Sequence, residues 1–405
     1  MYGYAYRRRS ASSWLTLPLL IPVLIVLAIV ALQLTRGLPA PQVTTTLAES
    51  SVLGTPTQPL LPSGGSSLVA VAGLGTLGTA GSDQPRPIAS ITKVMTAWVL
   101  LKGHPLKPNE SGPTLTLTDA DARRYNQMIL EDQSAIPVSS GMRLTQFQLM
   151  QGMLIASANN FAEILANWDA GSQAAFVAKM NAEAQAMGMS RTTYADTSGI
   201  SPKSMSTPAD QLILERKAMS DPVFRSIVGT KQTQVTGLGT LRAVNEILGQ
   251  NGVIGIKTGY TEEAGGNLAF AAERTIGGAK VEIYGAIMGQ TNRPAAFDAT
   301  LRVIESLDKG LQVMPVLPAG QPVAMVKPPW GKAVDVITEV PAPMLVWPGM
   351  TMHTEVSLDK VKASLKAGTR VGMLVLTLGE QRQEVPLMLA RDIEDAGLFW
   401  KLTRF

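Results

Sequence analysis

The sequence predicts three regions: a lone membrane-spanning helix, a mixed α/β globular unit and a small β-rich C-terminal domain. Three observations carry that prediction. Residues 14–34 run without a charge. From about Leu68 onward, strand-like and helix-like apolar patterns alternate. After Gly310 proline becomes frequent, and short apolar runs such as 371–376 and 385–389 take over.

The N-terminal run is long enough to span a hydrocarbon core of about 30 Å. Pro18 and Pro22 would kink such a helix and are tolerated there. Arg7, Arg8 and Arg9 precede it and Arg36 follows, so the positive-inside rule puts residues 1–13 in the cytoplasm and the rest outside. A cleaved signal peptide competes, given Leu38-Pro39-Ala40. Pro41 directly after Ala40 and the length of the run favour a retained signal anchor. Residues 35–66 follow, with Pro39, Pro41, Pro56, Pro59 and Pro62 among many Thr and Ser. They read as a flexible linker reaching about 30 Å on average, which would hold the globular part off the bilayer.

Residues 67–310 read as the mixed α/β domain and 311–405 as the β-rich one. In the first, 68–77 is strand-like. Residues 88–101 place Ile91, Val94, Met95 and Trp98 at helical spacing, with Ser90 at the helix start and Gly103 after its end. Residues 144–168 are two helical stretches interrupted near Ser157, and 176–187 is a helix stopped by Gly188. Residues 253–257 read as a strand, and 268–273 with 280–288 as a hairpin closed near Gly277-Gly278. Residues 295–307 form a helix with Pro294 at its start. There is no internal repeat.

Composition removes several classes of function. The 405 residues include no cysteine, which excludes disulfide frameworks, thiolate catalysis and cysteine zinc sites. Histidine occurs only as His104 and His353, so a Ser-His-Asp triad is hard to build. The net charge of +4 lies at the N-terminus. Beyond residue 36, basic and acidic side chains are equal at 31 each, which gives no argument for nucleic-acid binding.

Three short motifs carry the chemistry: Ser90-Ile91-Thr92-Lys93, Ser157-Ala158-Asn159 and Lys257-Thr258-Gly259. Together they supply a nucleophile, a base, a proton relay and an anion clamp, the parts that serine acyl transfer uses. Ser90 and Lys93 share a helix face, so the amine can reach the hydroxyl. A serine at a helix start lies among unpaired N–H groups, and its own N–H can help hold an oxyanion. A lysine becomes a base only when desolvated or set beside a second cation, which Lys257 would be if the fold joins them. Ser157 and Asn159 suit a helix break and offer a relay hydroxyl and an amide. Lys257 and Thr258 would hold a carboxylate, and Gly259 would admit an extended peptide along a strand edge. The bet is spatial: the Ser90 hydroxyl should lie within bonding reach of both amines and the Ser157 hydroxyl. Alone, each motif is an ordinary cap, junction or strand end. In this order, all three are a strong signal.

At these residues the chain resembles the low-molecular-mass penicillin-binding proteins, the serine-type D-alanyl-D-alanine carboxypeptidases. The likeness runs through Pro87-Ile88-Ala89-Ser90-Ile91-Thr92-Lys93-Val94-Met95-Thr96-Ala97 and from Ser157 to Phe161. It continues at Phe176-Val177, Met180-Asn181, Gly188-Met189 and Ser198-Gly199-Ile200-Ser201. It resumes at Lys257-Thr258-Gly259-Tyr260-Thr261 and Ala264-Gly265-Gly266-Asn267-Leu268-Ala269. It covers roughly 68–310, and the tail more weakly.

The resemblance implies a β-lactamase/transpeptidase-like α/β fold, a sheet flanked by helices with a helical lobe carrying Ser157. It implies Ser90 as acylated nucleophile, Lys93 as its base, Ser157 as proton shuttle and Asn159 as positioning group. Lys257, Thr258 and Gly259 would bind the substrate's terminal carboxylate, and the N–H groups of Ser90 and Tyr260 would form the oxyanion hole. Arg293 matches an arginine that many members use for carboxylate. Asn160 and Ile254 stand where the family often has Asp. Many members end in an amphipathic membrane helix, and none is evident before Phe405, so the N-terminal segment is the expected anchor.

The implied partners are peptidoglycan stem peptides, β-lactams as covalent inhibitors, and the membrane through the N-terminal helix. No cofactor, metal or nucleic acid is expected. The implied location is the cell membrane, single-pass, with the catalytic domain extracytoplasmic. A D,D-endopeptidase using the same residues is the close rival. A class A β-lactamase would need an acid that activates water, for which Glu163 with Asn167 is the candidate. A non-catalytic wall-binding scaffold is the remaining alternative.

Overall fold

The computed structural model describes residues 17–361 and 364–404. Helix α1 (Leu17–Thr35) leads into two short strands, β1 (Gln42–Thr45) and β2 (Ser50–Leu53). The hairpin β3 (Ser66–Val71) and β4 (Gly75–Gly81) follows, so the expected single strand over 68–77 is two strands and a turn. A 3₁₀ turn at Ala89–Ile91 precedes α2 (Thr92–Gly103). Then come α3 (Asp119–Leu130), α4 (Gln146–Leu154), α5 (Asn159–Ala170), α6 (Gln173–Ala186), α7 (Pro208–Met219) and α8 (Pro222–Val228). Strands β5 (Val253–Thr261), β6 (Gly265–Ile276) and β7 (Ala279–Gln290) complete the catalytic sheet, and α9 (Arg293–Asp308) closes the unit. The tail contributes β8 (Pro322–Lys327), β9 (Val334–Thr338), β10 (Met350–Leu358), β11 (Arg370–Leu378), β12 (Gln381–Leu389) and α10 (Leu398–Thr403).

Local chemistry sets the helix ends. Thr145 and Gln148 form a capping box on α4, each satisfying the other's backbone N–H. Thr207 and Asn292 cap α7 and α9 with their side-chain oxygens, and each helix has a proline in its first turn. The start of α5 has no side-chain cap, because Ala158 at the cap position carries no acceptor.

The catalytic sheet is antiparallel in the order β5-β6-β7-β3-β4, leaving β5 at an edge. Its pairing aligns Lys257 with Ala269, Thr258 with Leu268 and Gly259 with Asn267. One core lies between the sheet and the helical lobe, around Met95, Leu100, Met153, Phe161, Phe176 and Phe224. Each such fully buried side chain contributes about 1.5–3 kcal/mol. A second core lies on the other sheet face, where Phe270, Ile283 and Leu268 meet Phe297, Val303 and Leu307 of α9. A transpeptidase-like sheet flanked by helices therefore stands as expected.

The second sheet has the order β1-β8-β9-β12-β11-β10-β2. Residues 35–66 are thus not a free linker. Gln42–Thr45 pair with Lys327–Ala324, and Ser50–Leu53 with His353–Met350, so the segment supplies both outer strands of the C-terminal sheet. Their side chains are mostly exposed, so backbone pairing holds them without an apolar pattern. Trp347 inserts into the core under α9 and donates to the Thr57 carbonyl at 2.9 Å. Arg216 of α7 grips Glu380 at 2.7 and 3.2 Å. These contacts tie the two sheets together.

The expected span 14–34 begins outside the described residues. Its described part is α1, whose apolar side chains from Ile21 to Leu34 are largely exposed. Among the described residues no helix is long and apolar enough to cross a membrane. The last turn of α1 is held by Arg404, which donates to the carbonyls of Gln33 at 2.8 Å, Gly37 at 3.1 Å and Arg36.

Candidate active site

The three motifs come from three different elements and meet in one cleft. Ser90 sits half-buried in the 3₁₀ turn, after Ala89 at φ +46°. Ser157 occupies the break between α4 and α5 at φ +62°. Backbone in this region costs a non-glycine residue about 1–3 kcal/mol, and both outliers flank or carry a hydroxyl of the three motifs. Lys257, Thr258 and Gly259 lie on the edge strand β5. A Cβ on Gly259 would stand 2.8 Å from the Ile88 carbonyl oxygen and 3.1 Å from the Ser90 nitrogen. Glycine here lets the strand approach the turn that carries Ser90.

Lys93 is wholly buried, with its amine 2.8 Å from Ser90 Oγ, 2.7 Å from Asn159 Oδ1 and 2.9 Å from the Ser198 carbonyl oxygen. Burial pushes its pKa well below the usual lysine range, the positive charge of Lys257 pushes the same way, and Asp196 opposes them. A neutral amine beside a hydroxyl is a competent base. Lys257 is also buried, and donates to Ser157 Oγ at 2.9 Å and to the Thr258 carbonyl at 3.0 Å. Burial, with help from Arg293, brings its pKa down to about 7.

The expected four-group cluster is therefore two pairs, Ser90 with Lys93 and Ser157 with Lys257. Among the described residues it is Lys257, not Ser90, that bonds the Ser157 hydroxyl. Tyr260 is half-exposed beside them, and the Arg293 guanidinium lies 5.8 Å from its ring centre.

One residue that the sequence did not single out, Gln133, joins the site, and two that it did, Asn160 and Glu163, find other partners. Gln133 Oε1 accepts from Asn159 Nδ2 at 2.8 Å, which fixes the amide so that its oxygen faces Lys93. Asn160, where the family often has Asp, accepts from the Ile136 N–H at 3.1 Å and donates to the Ile136 carbonyl at 2.8 Å. An ionised carboxylate could accept but not donate, so the amide matches both backbone groups of Ile136. Glu163 is committed to a two-point ion pair with Arg124 at 2.9 and 3.0 Å, away from the role a β-lactamase acid would need.

The family model described as D-alanyl-D-alanine carboxypeptidase matches residues 70–291. The chain is 26% identical to D-alanyl-D-alanine carboxypeptidase DacF of Bacillus subtilis, over 78% of this chain and 82% of that protein. It is 30% identical to D-alanyl-D-alanine carboxypeptidase DacA of Escherichia coli, over 51% of each. The crystal structure of the Streptomyces K15 DD-transpeptidase superposes with a TM-score of 0.55 at 28% identity, covering 62% of this chain and 98% of that one.

Proposed function

The chain belongs to the D-alanyl-D-alanine carboxypeptidase family, and we propose that it removes the terminal D-alanine from peptidoglycan stem peptides through an acyl-enzyme on Ser90. It is a serine-type, penicillin-binding hydrolase of the cell wall. The single observation that carries the reading is the buried Lys93 amine 2.8 Å from the Ser90 hydroxyl.

In this reading the stem peptide lies along the free edge of β5 by strand addition. Its terminal carboxylate meets Lys257, Thr258 and Arg293. Lys93 takes the Ser90 proton as Oγ attacks the carbonyl of the penultimate D-alanine. The oxyanion rests on the N–H groups of Ser90 and Tyr260, a term typically worth 10²–10³ in rate per donor. Ser157 gives its proton to the leaving D-alanine nitrogen as the C–N bond breaks and regains one from the Lys93 ammonium, so both side chains are restored and the scissile carbonyl stays on Ser90 as an ester. Water then attacks that ester, and the proton and Ser90 hydroxyl are restored.

Ser90→Ala tests the nucleophile. The parent should label covalently with a fluorescent penicillin and release D-alanine from diacetyl-Lys-D-Ala-D-Ala, and the variant should do neither. Labelling of the variant at the parental rate would remove Ser90 from the mechanism. Digestion of cross-linked against uncross-linked muropeptides separates the carboxypeptidase from an endopeptidase.

We also propose that the N-terminal segment is a retained anchor that leaves the catalytic unit outside the membrane. The exposed apolar surface of α1 supports this. Full-length protein should stay in the membrane pellet after alkaline carbonate washing, and release into the wash would overturn anchoring.

A further inference from the structure

One of the three acceptors around the Lys93 amine is a backbone carbonyl, Ser198 O at 2.9 Å. Residues 196–204 that carry it form no helix or strand. Their shape comes from the Asp196 side chain. One carboxylate oxygen accepts from the Ser198 N–H at 2.7 Å, from the Ser198 hydroxyl at 3.2 Å and from the Gly199 N–H. The other accepts from the Ser201 N–H at 2.8 Å and from the Ser204 hydroxyl at 3.3 Å. Three backbone N–H groups and two hydroxyls thus converge on the two acceptor oxygens of one side chain.

Two further ties hold this segment to the nucleophile's own elements. The Thr96 hydroxyl of α2 donates to the Thr197 carbonyl at 2.7 Å. Gly199, at φ +82°, packs so closely on the Ala89 carbonyl that any Cβ would overlap it. The segment therefore has one place to sit, and its Ser198 carbonyl faces Lys93.

We propose that Asp196 is a positioning residue for acylation: its carboxylate folds residues 196–204 so that the Ser198 carbonyl holds the Lys93 amine against the Ser90 hydroxyl. The proposal rests on the roles given above to Ser90 and Lys93. Its charge has a second effect. Lys93 faces two charged groups, Lys257 on β5 and Asp196, while its hydrogen-bonding partners Ser90, Asn159 and Ser198 O are neutral. Asp196 alone favours the ammonium form, so it limits how far burial and Lys257 weaken the base.

Asp196→Asn in the full-length chain tests this. The readouts are the second-order rate of acylation by a penicillin across pH, and the melting temperature. An amide sets donors against the Ser201 and Ser204 donors, so the acylation rate at its optimum should fall about 10- to 100-fold. The acidic limb of the profile should also move to lower pH, because Lys93 without its counter-charge stays neutral further down. A loss of melting temperature with the acidic limb unmoved would make Asp196 structural only and overturn the proposal. So would a parental rate with a parental profile. Should the variant fail to fold, Thr96→Val loosens the same segment and keeps the charge. A fall of about tenfold with the limb in place supports positioning, and a parental rate overturns it. Failure of the parent itself to label at Ser90 would refute the catalytic reading instead, and it is seen before any variant is made.

Discussion

Replacing Gly259 with alanine probes the tightest geometric demand of the cleft. The added Cβ would lie 2.8 Å from the Ile88 carbonyl oxygen, 3.1 Å from the Ser90 nitrogen and 3.2 Å from the Ala89 Cβ. Carbon contacts are optimal at about 3.5–4.0 Å, so β5 and the turn at Ile88–Ser90 must separate by roughly 0.7 Å or more. The proposed oxyanion donors, Ser90 N–H and Tyr260 N–H, sit on opposite sides of that contact. Losing one such donor costs about 10²–10³ in kcat, and partial displacement should cost at least about tenfold. Overpacking of this kind should lower stability by about 1–3 kcal/mol. Single-turnover acylation by a penicillin, paired with a thermal melt, separates the two effects. The expected result is a folded protein that acylates at least tenfold more slowly. A folded protein with the parental acylation rate would refute the argument that close approach of β5 builds the hole.

Three other outcomes are expected. Asn160→Asp loses the donor to the Ile136 carbonyl and buries a carboxylate, so the unfolding free energy should drop by about 1–3 kcal/mol in calorimetry, and an unchanged melt would show that the 131–137 loop is held otherwise. The kcat/KM for a carboxylate-bearing tripeptide should fall as pH rises through the Lys257 pKa of about 7, because the ammonium that grips the carboxylate is present below it and lost above it. A basic limb in the ordinary lysine range, near about 10.4, would contradict that. Glu163→Gln should leave the lifetime of the penicilloyl-enzyme unchanged and cost no more than about 1 kcal/mol of stability, and a much longer lifetime would revive a deacylating role for that carboxylate.

The site was legible where chemistry and conformation are packed into adjacent residues. Ser90 and Lys93 announce themselves by helical spacing, and Ser157-Ala158-Asn159 by interrupting an apolar run. The partners that orient them were not legible. Gln133 acts through a loop 26 residues away in sequence, and the Ser198 carbonyl has no side-chain signature. The helices over 176–187 and 295–307 were found within a few residues of α6 and α9, because an apolar face and clear end signals coincide there. The strands Gln42–Thr45 and Ser50–Leu53 were misread as linker because their side chains face solvent and their pairing is all backbone. Edge strands lose the alternation that marks half-buried ones.

Those two strands change how the enzyme explores its surroundings. A chain that leaves its root as a loose tether would sweep a wide volume and meet substrate by wandering. Here the first segment after α1 is stitched to both margins of a rigid sheet, and that sheet is bolted to the cleft through Trp347 and the Arg216–Glu380 pair. Residues 42–53 and the cleft therefore share one frame, and the chain just after α1 moves with the cleft rather than apart from it.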